Sequence, residues 1–326
     1  MEKLTKRAIG GFLELELPSY NLAEWINRSY KYKTARGALL SLIRQVGISK
    51  IRLPRYICGS LLNAIRSLNI DIGFYDINSD FTVKKFCVKR DEFILYINYF
   101  GICDVQGSNI ISEYGSNHVI IDNSQSLFSP PLSALATIYS PRKFFGLPDG
   151  GLLYTEVSEF NGPTLRDKSS LLRLGHLFSR AADTKDDFYS DYKTAESSLE
   201  LQPELGMSDI TELLLQSVDF QKARRVRIKN FEYLHDKLGG DNRLGDLLGF
   251  MHAPLCYPFL PCKGFSNRER LIEAGVYTPR YWLEALDFVR SDSFEAALIK
   301  DCLFLPCDQR YDFEDMERIV NSLVLN

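Results

Sequence analysis

The fold of this chain is decided by the stretch Ala134-Leu-Ala-Thr-Ile-Tyr-Ser140-Pro-Arg-Lys143-Phe-Phe-Gly-Leu-Pro-Asp149-Gly150-Gly151-Leu-Leu-Tyr154. The apolar run 134–139 is too short for a helix and predicts a buried strand, which ends at Ser140 and the proline after it. A proline and two glycines then turn the chain into a second apolar run, 152–155. Lys143 is therefore expected in a tight connection between two strands, at a sheet edge of the kind where α/β proteins bind ligands.

A lysine in such a connection has two interpretations. Its amine can condense with an aldehyde to form a Schiff base, and desolvation in a pocket lowers the pKa enough to keep it reactive. Pyridoxal phosphate is the obvious aldehyde. For a lysine considered alone, a surface position in a hairpin is the commoner outcome, so the interpretation depends on its neighbours.

Length and composition limit the class of protein. The chain has 326 residues, of which 45% are hydrophobic and 25% are charged, enough for one large domain with a smaller appendage. Its 39 basic and 42 acidic side chains give a net charge of −3. This balance provides no basic field for nucleic acid or for an anionic membrane, so any phosphate recognition must be local.

The cysteines and the N-terminus indicate a cytoplasmic protein without a metal site. The seven cysteines form no CxxC pair and no His/Cys metal spacing, which predicts reduced thiols; they stand at positions 58, 87, 103, 256, 262, 302 and 307. The four histidines share no spacing and are expected to be structural. The N-terminus lacks a signal-peptide core, and no apolar run approaches the length of a membrane span.

A helix start near residue 34 is a candidate anion site. Thr34 is a suitable N-cap, and the apolar positions that follow have helical spacing, at 35, 38, 39, 42, 43 and 46. Free amides and the helix dipole at such a start can hold a phosphate, and Arg36 adds charge. A plain capped core helix explains the same pattern. The preceding segment 10–18 alternates apolar and acidic residues and predicts a short, half-exposed strand or an extended arm.

Strand-like and helix-like segments alternate over the next 70 residues. A helical pattern at 61–68 is followed by apolar runs at 70–75, 93–97 and 119–122, an order typical of a mostly parallel sheet. Asp122 ends the third run. A buried aspartate there needs a partner, such as a pyridinium nitrogen, although an Asx turn ending the strand is the simpler explanation.

The order of these motifs resembles the DegT/DnrJ/EryC1/StrS sugar aminotransferases, a branch of the fold-type I pyridoxal-phosphate enzymes. The resemblance runs nearly end to end, and it is carried by Gly10-Gly11-Phe12, Thr34-Ala35-Arg36-Gly37, Asp122-Asn-Ser-Gln125, Ser140-Pro-Arg-Lys143, Pro148-Asp149-Gly150-Gly151, Val276-Tyr-Thr-Pro-Arg-Tyr-Trp282 and Phe313-Glu-Asp-Met-Glu-Arg-Ile319. It implies an α/β fold with a large domain, 1–238, built on a mostly parallel seven-stranded sheet flanked by helices. A small C-terminal α+β domain, 239–326, is expected to follow Gly239-Gly240.

The resemblance also implies site residues. Lys143 would form the Schiff base and shuttle the proton, and Asp122 would keep the ring nitrogen protonated. Gln125 falls where the family places a side chain near the phenolic oxygen. Ser140, with the helix start formed by Thr34, Ala35 and Arg36, would hold the phosphate. Cys58, or less readily Tyr56, would lie on the ring face.

The implied activity is transfer of an amino group, with glutamate as the usual donor and a nucleotide-linked keto sugar as the usual acceptor. The related sugar dehydratases have histidine where this chain has Lys143. A homodimer is expected, with region 156–209 near the partner's cofactor. The chain is short, and 204–209 lacks the family's intersubunit Asn and Arg, for which Ser208 is a weak substitute. These departures motivate the alternative of a catalytically idle binding or regulatory protein.

Three expectations concern the second half of the chain. The polar segment 156–205 predicts a mobile loop near the active site or the dimer contact, long enough to form a wall of the substrate cleft. A long helix is expected over 209–238, with Arg224, Arg225 and Arg227 on a solvated or interface face. Arg142 and Arg280 are candidates for bidentate binding of a diphosphate, and each could equally make a structural ion pair.

Overall fold

The computed structural model describes residues 9–87, 89, 91–182, 188–247, 252–262 and 268–323. Its strands are β1 (Tyr30–Tyr32), β2 (Lys50–Pro54), β3 (Asp71–Tyr75), β4 (Phe93–Ile97), β5 (Val119–Asn123), β6 (Ala136–Tyr139), β7 (Gly151–Thr155), β8 (Tyr257–Phe259) and β9 (Leu303–Leu305). Its α-helices are α1 (Glu24–Arg28), α2 (Ala35–Val46), α3 (Gly59–Arg66), α4 (Asp104–Tyr114), α5 (Gly175–Ala181), α6 (Phe188–Ser198), α7 (Asp209–Gln216), α8 (Phe220–Leu238), α9 (Arg268–Glu273), α10 (Phe294–Asp301) and α11 (Phe313–Leu323).

The first seven strands form one mostly parallel sheet in the order β1-β7-β6-β5-β4-β2-β3. Strands β3, β2, β4, β5 and β6 are parallel to one another, whereas β7 is antiparallel to both β6 and β1. The predicted fold class is confirmed. Because β5 and β6 point the same way, the residues that follow them meet at one edge of the sheet.

The central strands are covered on both faces. Every residue of β5 and of β6 is buried, as their unbroken apolar runs predict for parallel strands between helical layers. Helix α2 packs on β1, β6 and β7, and α4 packs on β4 and β5. The N-terminus of α2 is thereby held beside the carboxyl end of the sheet.

A second sheet pairs β8 with β9 antiparallel, near the middle of the segments predicted as strands, 255–260 and 302–305. Helix α9 lies within the helix expected over 266–274. The first two residues of that expected helix lie outside the described part of the chain. Helix α8 packs against α11 and β8. The division into two domains at residue 238 stays a prediction, because α8 and α11, which lie on either side of it, pack against each other.

Two segments differ from the sequence expectations at the level of secondary structure. Segment 10–18 forms no strand, and Phe12 and Leu13 are exposed, so the extended arm is the correct alternative. The predicted loop over 156–205 was wrong for much of its length, because α5 and α6 pack on each other and on a 3-10 turn, Ser170–Arg173. Residues 183–187 of that segment lie outside the described residues.

The helix expected over 209–238 is two helices. The Asp219 carboxylate accepts a hydrogen bond from the Lys222 amide at 2.8 Å, which caps the start of α8 and separates it from α7. Arg227 is buried within the chain, so its assignment to a solvated or interface face was wrong. Its guanidinium donates to Gln309 Oε1 at 2.8 Å and to the carbonyl oxygens of Leu255 and Phe144.

Candidate active site

A cavity of about 480 Å³ lies where β5 and β6 end and α2 begins. It is lined by main-chain and side-chain atoms of Thr34, Ala35, Arg36, Cys58, Ser60, Leu61, Ile97, Asp122, Ser124, Gln125, Ile138, Ser140, Arg142, Lys143, Glu196, Ser197, Leu199, Glu200 and Trp282. The set combines carboxylates, cations, an amide and hydroxyls in one space. It therefore offers the chemistry of a binding site for a small polar molecule.

Asp122 forms the predicted turn and also lines the cavity. Its Oδ1 accepts a hydrogen bond from the Ser124 amide at 2.8 Å, as in an Asx turn. The residue is nevertheless at the cavity wall and is nearly buried. The turn holds one oxygen in place, so the carboxylate is fixed beside the cavity.

Gln125 presents an unused donor at the same wall. Its Oε1 accepts from the Phe100 amide at 3.0 Å, which orients the side-chain amide. Its Nε2 is buried and has no hydrogen-bond partner among the described residues. An unsatisfied buried donor is costly, so this nitrogen is suited to an acceptor atom of a ligand.

The connection that carries Lys143 is a short 3-10 helix, Pro141–Lys143. The Lys143 amide donates to Ser140 O at 3.1 Å, and both residues line the cavity. The Lys143 side chain is exposed. Lys143 therefore lines the cavity and remains accessible to solvent in the single chain.

The end of this connection touches the start of α2 directly. The Gly150 amide donates to Lys33 O at 2.6 Å. A Cβ on Gly151 would lie 2.1 Å from the Thr34 carbonyl carbon and 2.2 Å from the Ala35 nitrogen. Only glycine permits this approach, which sets the distance between the lysine connection and the helix start.

The helix start is built as the sequence predicted. Thr34 Oγ1 accepts from the Gly37 amide at 2.9 Å and caps α2. Gly37 itself lies against the chain at Pro203, because a Cβ there would stand 1.8 Å from Pro203 O. Thr34, Ala35 and Arg36 face the cavity from this capped end, where the helix dipole favours an anion.

A buried ion cluster lies beneath the cavity wall and joins the two sides. Arg173 forms ion pairs with Asp167 and, at 3.6 Å, with Asp149, and its Nε donates to Pro148 O at 2.9 Å. Lys33 Nζ lies 4.0 Å from Asp167 and donates to Leu201 O at 2.8 Å. The cluster thus ties the end of the lysine connection to the residue that precedes Thr34.

The two ends of this cluster have shifted pKa values. Burial lowers the pKa of Lys33, although the charge of Asp167 opposes the shift. Burial raises the pKa of Asp167, but hydrogen bonds from Ser169 and Arg173 and the Arg173 charge outweigh it, and the net pKa lies below 3.8. Ser208 also binds to this cluster, because its Oγ donates a hydrogen bond to Asp149 Oδ2 at 2.7 Å. Ser208 therefore has a structural role within the chain.

Two arginines at the cavity are paired with glutamates from the end of α6 and the turn after it. Arg142 Nη2 donates to Glu196, and Arg36 lies 3.7 Å from Glu200. The Nε atoms of both arginines are buried without a partner among the described residues. Sequence reasoning missed both glutamates, because it treated 156–205 as a loop with no fixed direction.

The opposite wall contains Cys58 and Trp282. Cys58 Sγ lies 3.1 Å from Ser60 Oγ, whereas Tyr56 does not line the cavity. Tyr56 is fully buried and packs against Tyr99 and Trp282, with ring centroids 5.5 and 4.5 Å apart. Of the two candidates, Cys58 lines the cavity and Tyr56 does not. Trp282 was missed, although it ends the quoted signature that begins at residue 276.

The cavity brings together nearly all the predicted site residues. Eight of the nine line it: Lys143, Asp122, Gln125, Ser140, Thr34, Ala35, Arg36 and Cys58. Of the two arginines considered for a diphosphate, Arg142 lines the cavity, whereas Arg280 is exposed and lies elsewhere. Among the described residues no group of three or more His, Cys, Asp or Glu side chains could hold a metal ion.

Solved structures with similar architecture include sugar aminotransferases. A DegT DnrJ EryC1 StrS aminotransferase from Brucella abortus aligns over 92% of this chain and 86% of its own, with 11% identity and a TM-score of 0.59. The PLP form of Spr1654 from Streptococcus pneumoniae aligns over 91% and 87%, with 13% identity and a TM-score of 0.64. PseC from Helicobacter pylori, an aminotransferase involved in the biosynthesis of pseudoaminic acid, aligns over 92% and 86%, with 18% identity and a TM-score of 0.58.

The chain has the fold of these sugar aminotransferases. No protein-family model matches its sequence, and no curated protein matches it either. Comparison of structures thus finds the sugar-aminotransferase fold where the sequence identity is too low for comparison of sequences to find a match. In the part of the chain that the structure describes, none of the helices has the length and apolar character needed to span a membrane.

Proposed function

We propose that this protein is a pyridoxal-phosphate-dependent aminotransferase that moves an amino group from glutamate to a nucleotide-linked keto-deoxy sugar. The observation that carries the proposal is the convergence of Asp122, Gln125, Ser140 and Lys143 on one cavity that faces the capped start of α2. The fold is independent support, since the solved structures that share it include aminotransferases.

The residues present fit this cofactor. Gln125 Nε2 is a buried donor without an acceptor, which suits the phenolic oxygen of the ring. Asp122 is a nearly buried carboxylate at the cavity wall, which suits a protonated ring nitrogen. The helix start at Thr34, Ala35 and Arg36 suits a phosphate.

Each side chain then has a defined task. Lys143 would hold the cofactor through its amine, which would also carry a proton to and from the substrate carbon. Asp122 would keep a ring nitrogen protonated, and Ser140 with the α2 start would bind the phosphate. Cys58 would lie against the ring face. When bound, the cofactor supplies an electron sink for the substrate carbanion.

The proposed acceptor is supported by the shape and polarity of the site. The cavity adjoins a groove of about 360 Å³ between α2 and α3, and the two share Arg36, Ser60 and Glu200. The groove is lined largely by polar side chains, among them Arg44 and Asn63. A long, hydroxyl-rich substrate matches such a continuous polar surface better than a small keto acid does.

A homodimer in the cytoplasm is part of the proposal. Lys143 is exposed in the single chain, so a second subunit would supply desolvation that the first does not. Large apolar side chains of region 156–213 are exposed and would be covered by a partner, namely Leu165, Leu171, Leu172, Phe178, Leu201 and Leu213. All seven cysteines are free thiols, as expected in a reducing compartment.

Cofactor absorbance tests the central part. Purified protein with added pyridoxal phosphate is expected to gain a visible absorbance band, and Lys143→Ala is expected to abolish it. Asp122→Asn should retain the band but transfer an amino group slowly, because the ring nitrogen loses its partner. A protein without the band would instead be the catalytically idle binding protein that the shortened chain suggests.

A substrate panel tests the acceptor. The pyridoxamine phosphate form is presented with nucleotide-linked 3-keto and 4-keto sugars and with small 2-keto acids. Return of the visible band with one keto sugar supports the proposal and identifies the carbon that is aminated. Return only with 2-keto acids overturns the sugar part and leaves the amino transfer intact.

A further inference from the structure

Three cations line the cavity among the described residues: Arg36, Arg142 and Lys143. An α-amino acid that gives up its amino group must place its α-carbon beside Lys143, and its carboxylate is bonded to that same carbon. Under the function proposed above, Lys143 bonds the cofactor and Arg36 lies at the phosphate end of the cavity. Arg142 is then the cation left for the donor's carboxylate.

The geometry of Arg142 suits a carboxylate. Its Nη2 donates to Glu196, so one carboxylate already lies on the guanidinium. Its Nε is buried and has no partner among the described residues. Nε and one Nη of an arginine form a planar fork that matches the two oxygens of a carboxylate. Half of this fork is therefore in use.

We propose that Arg142 binds the α-carboxylate of the amino donor through Nε and Nη2, and that Glu196 occupies Nη2 until the donor arrives. This inference rests on the proposed aminotransferase function. It assigns donor recognition to the residue directly before the lysine, and it gives the end of α6 a place in substrate exchange.

Glu196 is suited to leave. Its side chain is 38% exposed, whereas that of Arg142 is 20% exposed. An ion pair with one well-exposed partner contributes little to stability, because water screens it and can replace the partner. A donor carboxylate that makes two charge-assisted hydrogen bonds can therefore displace it. Glu196 lies near the end of α6, so its side chain can turn outward without moving the sheet.

The test measures binding of glutarate, a dicarboxylate that cannot react, to cofactor-loaded protein by titration calorimetry. Arg142→Gln is expected to weaken binding by about tenfold or more, the usual effect of losing charge-assisted hydrogen bonds. Arg142→Lys should recover only part of the loss, because an ammonium cannot form the fork. Glu196→Gln is expected to tighten binding several-fold, because the competing carboxylate is gone.

Arg318→Gln is the matched control. Arg318 pairs with Asp315 on α11 and lines neither the cavity nor the neighbouring groove. Glutarate affinity should stay within twofold of the wild type in this variant. In the first half-reaction, Arg142→Gln should also narrow the preference for L-glutamate over its α-amide, since that preference depends on the α-carboxylate.

The outcomes separate this inference from the proposed function. Wild-type protein without the visible band removes the aminotransferase function itself. A normal band with unchanged glutarate affinity in Arg142→Gln overturns the inference alone. If Arg142→Gln loses uridine diphosphate binding but retains glutarate binding, the inference is also overturned. Arg142 would then bind the diphosphate of the acceptor.

Discussion

Two groups of ion pairs adjoin the same cavity, and they differ in burial. Beneath the wall, the side chains of Lys33, Asp149, Asp167 and Arg173 are at most 4% exposed. At the mouth, Arg142 and Arg36 are 20% and 18% exposed, and their glutamate partners are 38% and 66% exposed. The buried group also binds backbone carbonyls of Pro148 and Leu201.

This difference in burial shows which ion pairs stabilise the fold and which can be displaced by a ligand. Removing one partner from a buried pair leaves a charge without solvent or counter-ion, which is strongly destabilising. Breaking an exposed pair costs little, because water replaces the lost partner. The buried group is expected to fix the lysine connection against the α2 start, and the outer group to yield to a ligand.

The largest effect is expected from Arg173→Leu. The substitution removes the cation that pairs with both Asp149 and Asp167 and leaves only Lys33, 4.0 Å from Asp167, so it should lower the free energy of unfolding by about 3–5 kcal/mol. Urea denaturation of the purified protein measures it. A loss below about 1 kcal/mol would show that the buried group is no more stabilising than the outer one.

Gly151→Ala should have the next largest effect. The new methyl group would collide with the backbone of Thr34 and Ala35, and overpacking of this kind costs about 1–3 kcal/mol. Cofactor affinity should fall with stability, because the lysine connection and the helix start are forced apart. Gly175→Ala, where the added Cβ meets nothing within 4 Å, is the control and should bind the cofactor normally.

The pH dependence of stability should identify Asp167. Its pKa is lowered in the folded protein, so its stabilising contribution is present above the usual pKa of 3.8 and is lost as pH falls through the folded value. Unfolding free energies measured at a series of pH values should drop at the acid end. Asp167→Asn should be less stable throughout but show a shallower acid drop, and an equally steep drop would exclude this carboxylate as its source.

The smallest effect is expected from Glu204→Gln. Its pair with Arg44 is half exposed, so the free energy of unfolding should change by less than about 1 kcal/mol, and the change should shrink further in salt. The same urea denaturation series applies. A change of 3 kcal/mol or more would remove the distinction between the two groups.

The sequence predicted best where local chemistry and burial agree. Strand β4 occupies the residues expected, 93–97, and α2 starts at the Thr34 cap with its expected apolar face. These elements are set by periodicity and by a capping side chain, both of which are visible in the residues themselves. The convergence of Asp122 and Lys143 follows from the parallel order of β5 and β6.

The sequence failed where tertiary contacts decide the structure. The polar composition of α6 hides that it packs on α5 and aims Glu196 at Arg142. Arg227 has the sequence context of a surface residue, yet its guanidinium is satisfied by carbonyls from distant segments. Tyr56 and Cys58 are two residues apart in the sequence. Only the aromatic packing of Tyr56 shows that Cys58, and not Tyr56, lines the cavity.

The contact between Lys33 and Leu201 joins residues 168 positions apart, and this separation bears on how the protein is made. During synthesis the start of α2 leaves the ribosome long before the segments that hold it in place, including Pro203 beside Gly37. Closing such a long loop is slow, because its entropy must be lost before the contacts form. The cradle for an anion is therefore completed late in translation, and a truncated chain ending before residue 201 would carry the lysine without a finished site around it.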